Sequence, residues 1–196
     1  MIELVLATSN KDKIREIKEI LGRERFRILS LQDFPGIPPV IEDGETLEKN
    51  ALKKAKACAD LTGMVCLADD TGLEVQVLEG RPGVRSSRYA GPRATYADNV
   101  TKLLREMRGV DESRRGAQFR CVVVIVDGEG GIHKGEGTLE GGITVSPRGE
   151  NGFGYDPVFL VPSLGKTLAE LSAEEKNQIS HRANAVRNAV RSWIGA

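Results

Sequence analysis

Two adjacent carboxylates, Asp69 and Asp70, follow a short apolar run that predicts a buried strand. Carboxylate oxygens at the end of such a strand suit a hard cation such as Mg²⁺, which takes one or two protein oxygens and keeps several waters. Adjacent strand residues point to opposite faces, so only one of the pair can point into a given site, while the other caps or braces a loop. A polar turn without chemistry explains these two residues equally well when they are considered alone. Asp70–Gly72 also spells the aspartic-protease triplet, but the sequence has no second copy, which disfavours that interpretation.

A cluster of acidic residues precedes the second helical pattern and could supply another metal oxygen. The cluster consists of Glu42, Asp43, Glu45 and Glu48. Acidic side chains in this position commonly interact with the positive end of the helix dipole, and the residue types alone do not say which one would bind a metal. Asn50 and Lys54, one helical turn apart, share a face beside the apolar stripe of the same helix.

The segment Thr8–Lys13 has the features of an anion site, because it follows a strand and opens a helix. Backbone N–H groups and the helix dipole favour negative charge there, and Lys11 and Lys13 add positive charge. The glycines of a Walker A loop are missing. An ordinary capped helix with solvated lysines is the alternative.

Two further segments could recognise a ligand. In Gly149–Asp156, three glycines space two aromatic residues and an acid, an arrangement that allows close backbone approach and ring stacking. A tight turn whose aromatic residues fill the core is the alternative. Lys176, Ser180, His181 and Arg182 offer a concentrated set of donors near the start of the last helix, fit for phosphate or for the carbonyl oxygens of a base.

The elements that must position these groups alternate between strands and helices. Apolar runs predict strands at Ile2–Ala7, Phe26–Leu29, Val65–Ala68, Leu73–Val77, Ala117–Asp127, Ile132–Leu139 and Val158–Val161. Helical spacing predicts helices over Asp12–Leu21, from Leu47 to Ala59 after a cap at Thr46, and from Ala97 to Met107. A capping box at Ser172–Glu175 precedes a C-terminal helix that reaches Ile194, and Asp127–Gly131 forms the turn of a hairpin. We therefore expect one α/β domain over residues 1–196, built on a mixed sheet.

Composition excludes several classes of protein. The chain has 196 residues, of which 40% are hydrophobic and 29% are charged, values atypical of disordered or membrane proteins. Lys plus Arg and Asp plus Glu both total 28, so bulk electrostatics would not hold a nucleic acid. No signal peptide or spanning stretch is visible, and Cys58, Cys66 and Cys121 are typical of buried thiols in a reducing compartment. We expect a cytoplasmic protein with neither a nucleic-acid nor a membrane partner.

Taken in order, the motifs resemble the inosine triphosphate pyrophosphatase (Ham1-like) family, whose members hydrolyse deaminated purine nucleoside triphosphates. The matching segments cover essentially the whole chain and are Thr8–Lys13, Ala68–Leu73, Ser87–Gly91, Gly152–Pro157, Glu175–Asn177 and Ser180–Arg182. The family often has Glu-Asn-Ala where this chain has Lys49-Asn50-Ala51, with Glu48 one position earlier. That departure puts a role for Glu48 in doubt and leaves Glu42 as the preferred second metal ligand.

The resemblance implies a single domain with an elongated mixed β-sheet flanked by helices, commonly a homodimer. It implies Mg²⁺-dependent hydrolysis of ITP, dITP and XTP to a nucleoside monophosphate and pyrophosphate. Asp70 would bind the metal and act as the base for the attacking water, and Glu42 would share the metal. The residues that would hold the triphosphate are Thr8, Ser9, Asn10, Lys11, Asp12, Lys13 and Thr71, with Lys54 as an extra phosphate contact.

For the base, the resemblance implies that Phe153 stacks on the purine and that Gly154, Tyr155 and Asp156 shape the pocket. Lys176, His181 and Arg182 would address the base edge. Donors there would pair with the 6-oxo group of hypoxanthine or xanthine and oppose the 6-amino group of adenine, whereas the rejection of guanine needs another cause.

Two other functions remain open at this point. A related Maf-like pyrophosphatase would cleave modified pyrimidine or guanine nucleotides, and a nucleotide sensor would bind without turnover. The Phe153 segment and the His181–Arg182 pair argue against the first, and the carboxylates Asp70 and Glu42 argue against the second. RNA binding is disfavoured by the neutral charge and by an aromatic content of 5%.

Overall fold

The computed structural model describes residues 1–22 and 24–195, in which strands and helices alternate along the chain. The strands are β1 (Ile2–Leu6), β2 (Phe26–Ser30), β3 (Cys66–Val75), β4 (Pro82–Gly83), β5 (Gly116–Val126), β6 (Ile132–Ile143), β7 (Phe159–Val161) and β8 (Lys166–Thr167). The helices are α1 (Lys11–Leu21), α2 (Leu47–Thr62), α3 (Tyr96–Glu106), α4 (Ala173–Ile179) and α5 (His181–Ile194). Short 3₁₀ turns occupy several of the connections.

Within the described residues, the strands form one sheet in the order β2-β1-β3-β5-β6-β7-β8, and β4 pairs with β3. Strand β1 runs parallel to β2, with Ile2 opposite Phe26, and parallel to β3, with Val5 opposite Cys66. The pairs β3–β4, β6–β7 and β7–β8 are antiparallel. The prediction of an α/β fold on a mixed sheet is therefore confirmed.

The contacts divide the chain into two compact units, each with its own apolar core. The first unit contains the described residues of Met1–Asp70, Cys121–Gly137 and Ser180–Ala196, and the second contains Thr71–Arg120 and Thr138–Ile179. Fully buried side chains of the first core include Leu4, Leu6, Ile17, Leu67, Val123 and Ile125. Those of the second include Leu73, Leu103, Met107, Phe159 and Leu168. That the whole chain forms one domain stays a prediction.

Side-chain caps fix where the site-bearing helices begin. The Asn10 side chain accepts hydrogen bonds from the N–H groups of Asp12 and Lys13 at the start of α1, at 3.0 and 3.2 Å. Thr46 caps α2 as predicted, because its hydroxyl accepts from the N–H of Lys49 at 3.1 Å. At the capping box Ser172–Glu175, the N–H of Ser172 donates to the carboxylate of Glu175, at 2.7 Å, and the N–H of Glu175 donates to the Ser172 hydroxyl, at 3.1 Å.

The prediction that Asp69–Gly72 ends a strand was wrong. Strand β3 continues through these residues to Val75, so the two predicted strands at Val65–Ala68 and Leu73–Val77 are one. The second half of β3 is held by β4, where Leu73 lies opposite Gly83. Gly72 passes so close to that strand that a Cβ atom on it would lie 2.8 Å from the carbonyl oxygen of Gly83. The glycine therefore permits close pairing and does not mark a turn.

The C-terminal helix is also interrupted where the periodicity predicted continuity. Helix α4 ends at Ile179 and α5 begins at His181, with Ser180 in an extended conformation between them. The Ser180 hydroxyl accepts a hydrogen bond from the N–H of Ala183 at 3.2 Å, so serine acts as an N-cap and starts a new helix.

The three cysteines are buried free thiols, as their number and spacing predicted. In residues 1–22 and 24–195, no helix is long and apolar enough to cross a membrane.

Candidate active site

Asp69 and Asp70 lie side by side in β3 and are both buried, with 1% and 7% of their surface exposed. Because neighbouring strand residues point to opposite faces, the two carboxylates meet different partners. A buried carboxylate is costly unless cations or donors compensate it, so those partners decide what each residue can do.

Asp69 is held by two cationic side chains. Its Oδ2 atom lies 3.0 Å from Nζ of Lys13 on α1 and accepts a hydrogen bond from Nε of Arg182 on α5 at 3.2 Å. Burial by itself would raise the pKa of Asp69, but Lys13 and Arg182 outweigh it and hold the pKa well below its usual range. The Asp69 carboxylate therefore joins side chains of two helices to β3, where the alternation along the strand had predicted that one of the two carboxylates would cap or brace a loop.

Arg182 lies deep in the first unit, with 3% of its surface exposed. Besides Asp69, its guanidinium contacts the carboxylate of Glu16 on α1. Burial opposes the charged form, but these two carboxylates raise the pKa of Arg182 above its ordinary value. The role of Arg182 toward a base stays a prediction. Glu16 was missed by the sequence analysis because nothing in its spacing distinguishes it from a solvated helical glutamate.

Asp70 meets two side chains of α2. Its Oδ2 atom accepts a hydrogen bond from Nδ2 of Asn50 at 3.1 Å, and its Oδ1 atom lies 3.5 Å from Nζ of Lys54. Asn50 and Lys54 are both buried, on the helix face that their spacing predicted. Burial raises the pKa of Asp70 in spite of the opposing charge of Lys54. Asp70 is thus the more basic of the two adjacent carboxylates.

Glu42, from the loop that precedes α2, reaches the same lysine. Nζ of Lys54 donates to Oε1 of Glu42 at 2.6 Å and to the carbonyl oxygen of Asp69 at 2.7 Å. Burial would raise the pKa of Glu42, but the charge and hydrogen bond of Lys54 hold it below its usual value. We call Glu42, Asp69, Asp70 and Lys54 the carboxylate cluster.

The oxygens of Asp70 and Glu42 fit a hard cation, since both contact one ammonium group. Among the described residues, no group of three or more His, Cys, Asp or Glu side chains is arranged to hold a metal ion. Two protein carboxylates are nevertheless the usual complement of Mg²⁺ sites in which water and phosphate oxygens supply the other ligands. The other acidic residues of the predicted cluster have their own partners. Asp43 and Glu45, ahead of α2, form exposed pairs with Lys53 and Lys49, and Glu48, in the first turn of α2, pairs with Lys134.

In the segment Thr8–Lys13, several polar groups already have backbone partners. The Thr8 hydroxyl accepts from the N–H of Asn10 at 3.2 Å, and Asn10 caps α1. Asp12 pairs with Arg15 at 2.9 Å. The side chains of Ser9 and Lys11 are exposed. An anion at this end of α1 would therefore rely on these exposed side chains more than on the N–H groups that Asn10 occupies.

The second unit carries the predicted aromatic segment. Gly152 has φ +71°, and a Cβ atom on it would lie 2.1 Å from Oδ2 of Asp156, so glycine is required there. The same Oδ2 accepts the N–H of Phe153 at 2.9 Å and contacts Nζ of Lys176. That ammonium lies 5.1 Å from the centre of the Phe153 ring.

Tyr96, the first residue of α3, extends this group. Its ring centre is 5.7 Å from that of Phe153, and the two planes are tilted by 43°. With 43% of its surface exposed, Tyr96 is one of the largest exposed apolar side chains described. No sequence pattern singles out Tyr96, because its contact with Phe153 depends on tertiary structure. We call Tyr96, Phe153, Asp156 and Lys176 the aromatic cluster.

The remaining predicted residues are placed as follows. Tyr155 is buried, and its hydroxyl donates to the carbonyl oxygen of Ser86 at 2.9 Å, which makes it a support of the segment. Burial raises its pKa well above the ordinary value. Gly154 follows Phe153 with φ +66°. Thr71 is half-buried in β3, and His181 is the buried first residue of α5.

These features define an α/β protein on a mixed sheet, in which carboxylate and lysine side chains cluster beside the buried strand β3. The profile of the Ham1 family matches residues 4–192, and the chain belongs to this family. The resemblance inferred from the motifs is thereby confirmed.

Individual relatives agree with the family match. A Geobacter sulfurreducens protein named dITP/XTP pyrophosphatase is 50% identical over 186 residues, which are 95% of this chain and 94% of that protein. A Desulforamulus reducens protein of the same name is 48% identical over 189 residues, 96% of this chain and 94% of that protein. The solved structure of a HAM1 protein from Coxiella burnetii matches with a TM-score of 0.88 and 41% identity over 100% of both chains.

Proposed function

We propose that this protein is a nucleoside-triphosphate pyrophosphatase that cleaves the deaminated purine nucleotides ITP, dITP and XTP to a nucleoside monophosphate and pyrophosphate. The observation that carries the proposal is the convergence of Glu42 and Asp70 on the ammonium group of Lys54. The names of the Geobacter sulfurreducens and Desulforamulus reducens relatives support the substrate class.

We further propose Mg²⁺ as the cofactor, with Asp70 and Glu42 as its protein ligands. When bound, Mg²⁺ would neutralise charge on the phosphates and lower the pKa of water. The two carboxylates suit this role because each directs an oxygen at the same cationic group, which shows that negative charge is concentrated there.

Asp70 is the proposed general base. It is buried in β3 beside Lys54, and the proton of the attacking water would pass to one of its carboxylate oxygens. Lys54 and Lys13 would offset the charge of the phosphates, and Thr8, Ser9, Asn10, Lys11, Asp12 and Thr71 would contribute further contacts. Hydrolysis of this kind depends on positioning and charge more than on covalent catalysis.

Base recognition is assigned to the aromatic cluster. Phe153 offers a ring for stacking, and Lys176 supplies a donor that suits the 6-oxo group of hypoxanthine and xanthine. Adenine would present an amino donor to the same ammonium group, and such mismatched polar groups can discriminate by about 10⁴-fold. Gly154, Tyr155 and Asp156 would maintain the shape of the segment, and His181 and Arg182 would assist at the base edge.

The test is pyrophosphate release from ITP, dITP, XTP, ATP, GTP, CTP and UTP with Mg²⁺. We expect release from the first three and its loss with EDTA. Asp70→Asn should lower kcat by about 10³-fold, since general-base catalysis is worth about 10²–10⁴. The matched control is Asp43→Asn, because Asp43 is exposed and pairs with Lys53 at 2.7 Å.

Other outcomes would redirect the assignment. Release from guanine or pyrimidine nucleotides in place of ITP would indicate the Maf-like activity. Tight binding of ITP without release would indicate a nucleotide sensor.

We also propose a homodimer and a cytoplasmic location. The homodimer follows from the resemblance, and the buried free thiols are compatible with a reducing compartment. Sedimentation equilibrium and cell fractionation test the two proposals.

A further inference from the structure

Asn50 connects two segments of the first unit that carry the proposed metal ligands. It lies on α2 with 1% of its surface exposed. Its Nδ2 atom donates to Oδ2 of Asp70 at 3.1 Å, and its Oδ1 atom accepts the N–H of Gly44 at 2.8 Å. One side-chain amide therefore links β3 to the loop that carries Glu42.

These two hydrogen bonds permit only one orientation of the amide. If the group were rotated by half a turn, Oδ1 would face the Asp70 carboxylate, and Nδ2 would face the N–H of Gly44. Both contacts would then join groups of the same kind, an acceptor to an acceptor and a donor to a donor. The N–H of Gly44 thus determines that Asn50 presents a donor to Asp70.

The loop is pressed closely onto α2 at this point. A Cβ atom on Gly44 would lie 2.6 Å from Oδ1 of Asn50 and 3.0 Å from Cβ of Lys49. Glu42 lies two residues before Gly44, and its carboxylate reaches Lys54, one turn after Asn50 on the same helix. Asn50 and Lys54 therefore hold the loop and the strand against one helix face.

The consequence for Asp70 is a fixed carboxylate rotation. Oδ2 is occupied by the Asn50 donor, while Oδ1 is on the Lys54 side, where Glu42 also has an oxygen. Without the amide donor, the carboxylate could turn about its terminal torsion, which is broad for aspartate.

We propose that Asn50 is a positioning residue that sets the orientation of the Asp70 carboxylate and its spacing from Glu42. The inference rests on the proposed function, in which these two residues hold Mg²⁺ and Asp70 is the base. Residues that orient metal ligands in this way typically contribute about 10–100-fold to metal affinity or activity.

Two substitutions of Asn50 by residues of similar size distinguish an effect on the orientation of Asp70 from an effect of local charge. Asn50→Asp keeps an acceptor for Gly44, adds a negative charge and loses the donor to Asp70, whereas Asn50→Leu loses the donor without adding charge. If the donor orients Asp70, both variants should lower kcat for ITP by about 10–100-fold, with KM changed by less than about threefold. If only local charge matters, Asn50→Leu, which adds no charge, should keep the wild-type kcat while Asn50→Asp alone changes it, and that result would overturn the proposal.

The second readout uses Mg²⁺ alone and does not depend on turnover. Titration calorimetry of the unliganded protein should give an affinity of Asn50→Leu for Mg²⁺ about 10-fold below wild type. Asn188→Asp is the matched control, because exposed Asn188 donates to a carbonyl oxygen of Glu136 at 2.9 Å, and it should leave kcat and Mg²⁺ affinity unchanged.

The outcomes distinguish this inference from the proposed function. If wild type binds Mg²⁺ but releases no pyrophosphate, the proposed function fails and calorimetry of Asn50→Leu still tests the positioning role. Suppose instead that wild type is active and that both Asn50 variants keep kcat and Mg²⁺ affinity within about twofold of wild type. Such an effect is smaller than the about 10–100-fold contribution of positioning residues, and the positioning role is then refuted. Thermal unfolding of each variant shows what fraction is folded, and rates are compared per folded molecule.

Discussion

The ammonium group of Lys54 lies 2.6 Å from a carboxylate oxygen of Glu42, and the same group lies 3.5 Å from Oδ1 of Asp70. A lysine with only 7% of its surface exposed is stable as a cation only because carboxylates surround it. Burial lowers the pKa of Lys54, but Asp70, Asp69 and Glu42 more than compensate and raise it above the ordinary value. Lys54 thus stays charged and offsets part of the negative charge of Glu42, Asp69 and Asp70.

The first prediction concerns removal of that charge. Lys54→Met retains the aliphatic length but leaves Glu42 and Asp70 without their shared cation. Because one partner of a buried ion pair is removed, we expect a loss of about 3 kcal/mol in the free energy of unfolding. Loss of a positioned cation should also lower kcat/KM for ITP by about 10²-fold or more.

Urea denaturation and steady-state kinetics measure the two effects. The neighbouring Lys53→Met is the control, since Lys53 is exposed and pairs only at the surface with Asp43, within the contacts described. Equal behaviour of the two variants would contradict the assigned role of Lys54.

The second prediction concerns the buried pairs of Arg182. Arg182→Met leaves Asp69 with Lys13 and removes the cation beside Glu16. We expect the free energy of unfolding to fall by about 3–5 kcal/mol, the range for breaking a buried pair. Arg191→Met, in an exposed position of α5, should change it by less than about 0.5 kcal/mol.

Comparing the stability of Arg182→Met with its KM for ITP distinguishes a structural role of Arg182 from a role in binding the base. If Arg182→Met is as stable as wild type but has a higher KM for ITP, its role is in ligand recognition and the structural interpretation is wrong.

The third prediction concerns stacking in the aromatic cluster. Phe153→Leu keeps an apolar side chain but removes the ring, and base–aromatic stacking is worth about 1–3 kcal/mol, so KM for ITP should rise by about 10-fold or more. Inorganic tripolyphosphate has no base, so its hydrolysis should be unaffected. A similar loss with both substrates would show that Phe153 supports the fold and does not bind the base. Phe119→Leu, in the core of the second unit, is the control for a general loss of packing.

Local sequence patterns predicted most of the strands, helices and helix caps. They failed where a buried charge is compensated by a residue far away in the chain. The helix caps could be predicted, because the side chains of Asn10, Thr46 and Ser172 accept hydrogen bonds from N–H groups at most three residues further along the chain. Asp69 and Asp70 suggested a turn because buried carboxylates are rare in strands, yet Arg182, 113 residues further along the chain, compensates Asp69 inside β3. No local pattern shows that pairing.

The same distinction applies to the candidate sites. Asn50, Lys54 and Asp70 were singled out from residue types and spacing, whereas Glu42 was chosen through the family resemblance. The structure brings the four residues together within the first unit. Tyr96 and Glu16 were missed, because an aromatic residue at a helix start and a glutamate within a helix are ordinary in sequence. Their significance depends on contacts with residues distant in the chain.

The last prediction concerns Arg115, which is buried yet bonded to backbone carbonyl groups. Its guanidinium donates to the carbonyl oxygens of Ile143, Met107, Thr144 and Val110, at 2.6, 2.9, 2.9 and 3.3 Å. Burial lowers the pKa of Arg115, and Glu112 only partly offsets this. The side chain thereby joins the end of α3 to the end of β6 within the second unit.

Arg115→Met would leave these buried carbonyl groups without their donor, at a cost of about 1–3 kcal/mol for each group that water cannot reach. We expect the free energy of unfolding to fall by about 3 kcal/mol or more, measured by urea denaturation. Arg115→Lys should recover only part of it, because an ammonium cannot reproduce the planar fork. Exposed Arg114→Met is the control. Since Arg115 touches neither defined cluster in the contacts described, kcat per folded molecule should stay unchanged well below the unfolding temperature. A stable Arg115→Met with reduced kcat would show that this arginine acts in the reaction and not in the fold.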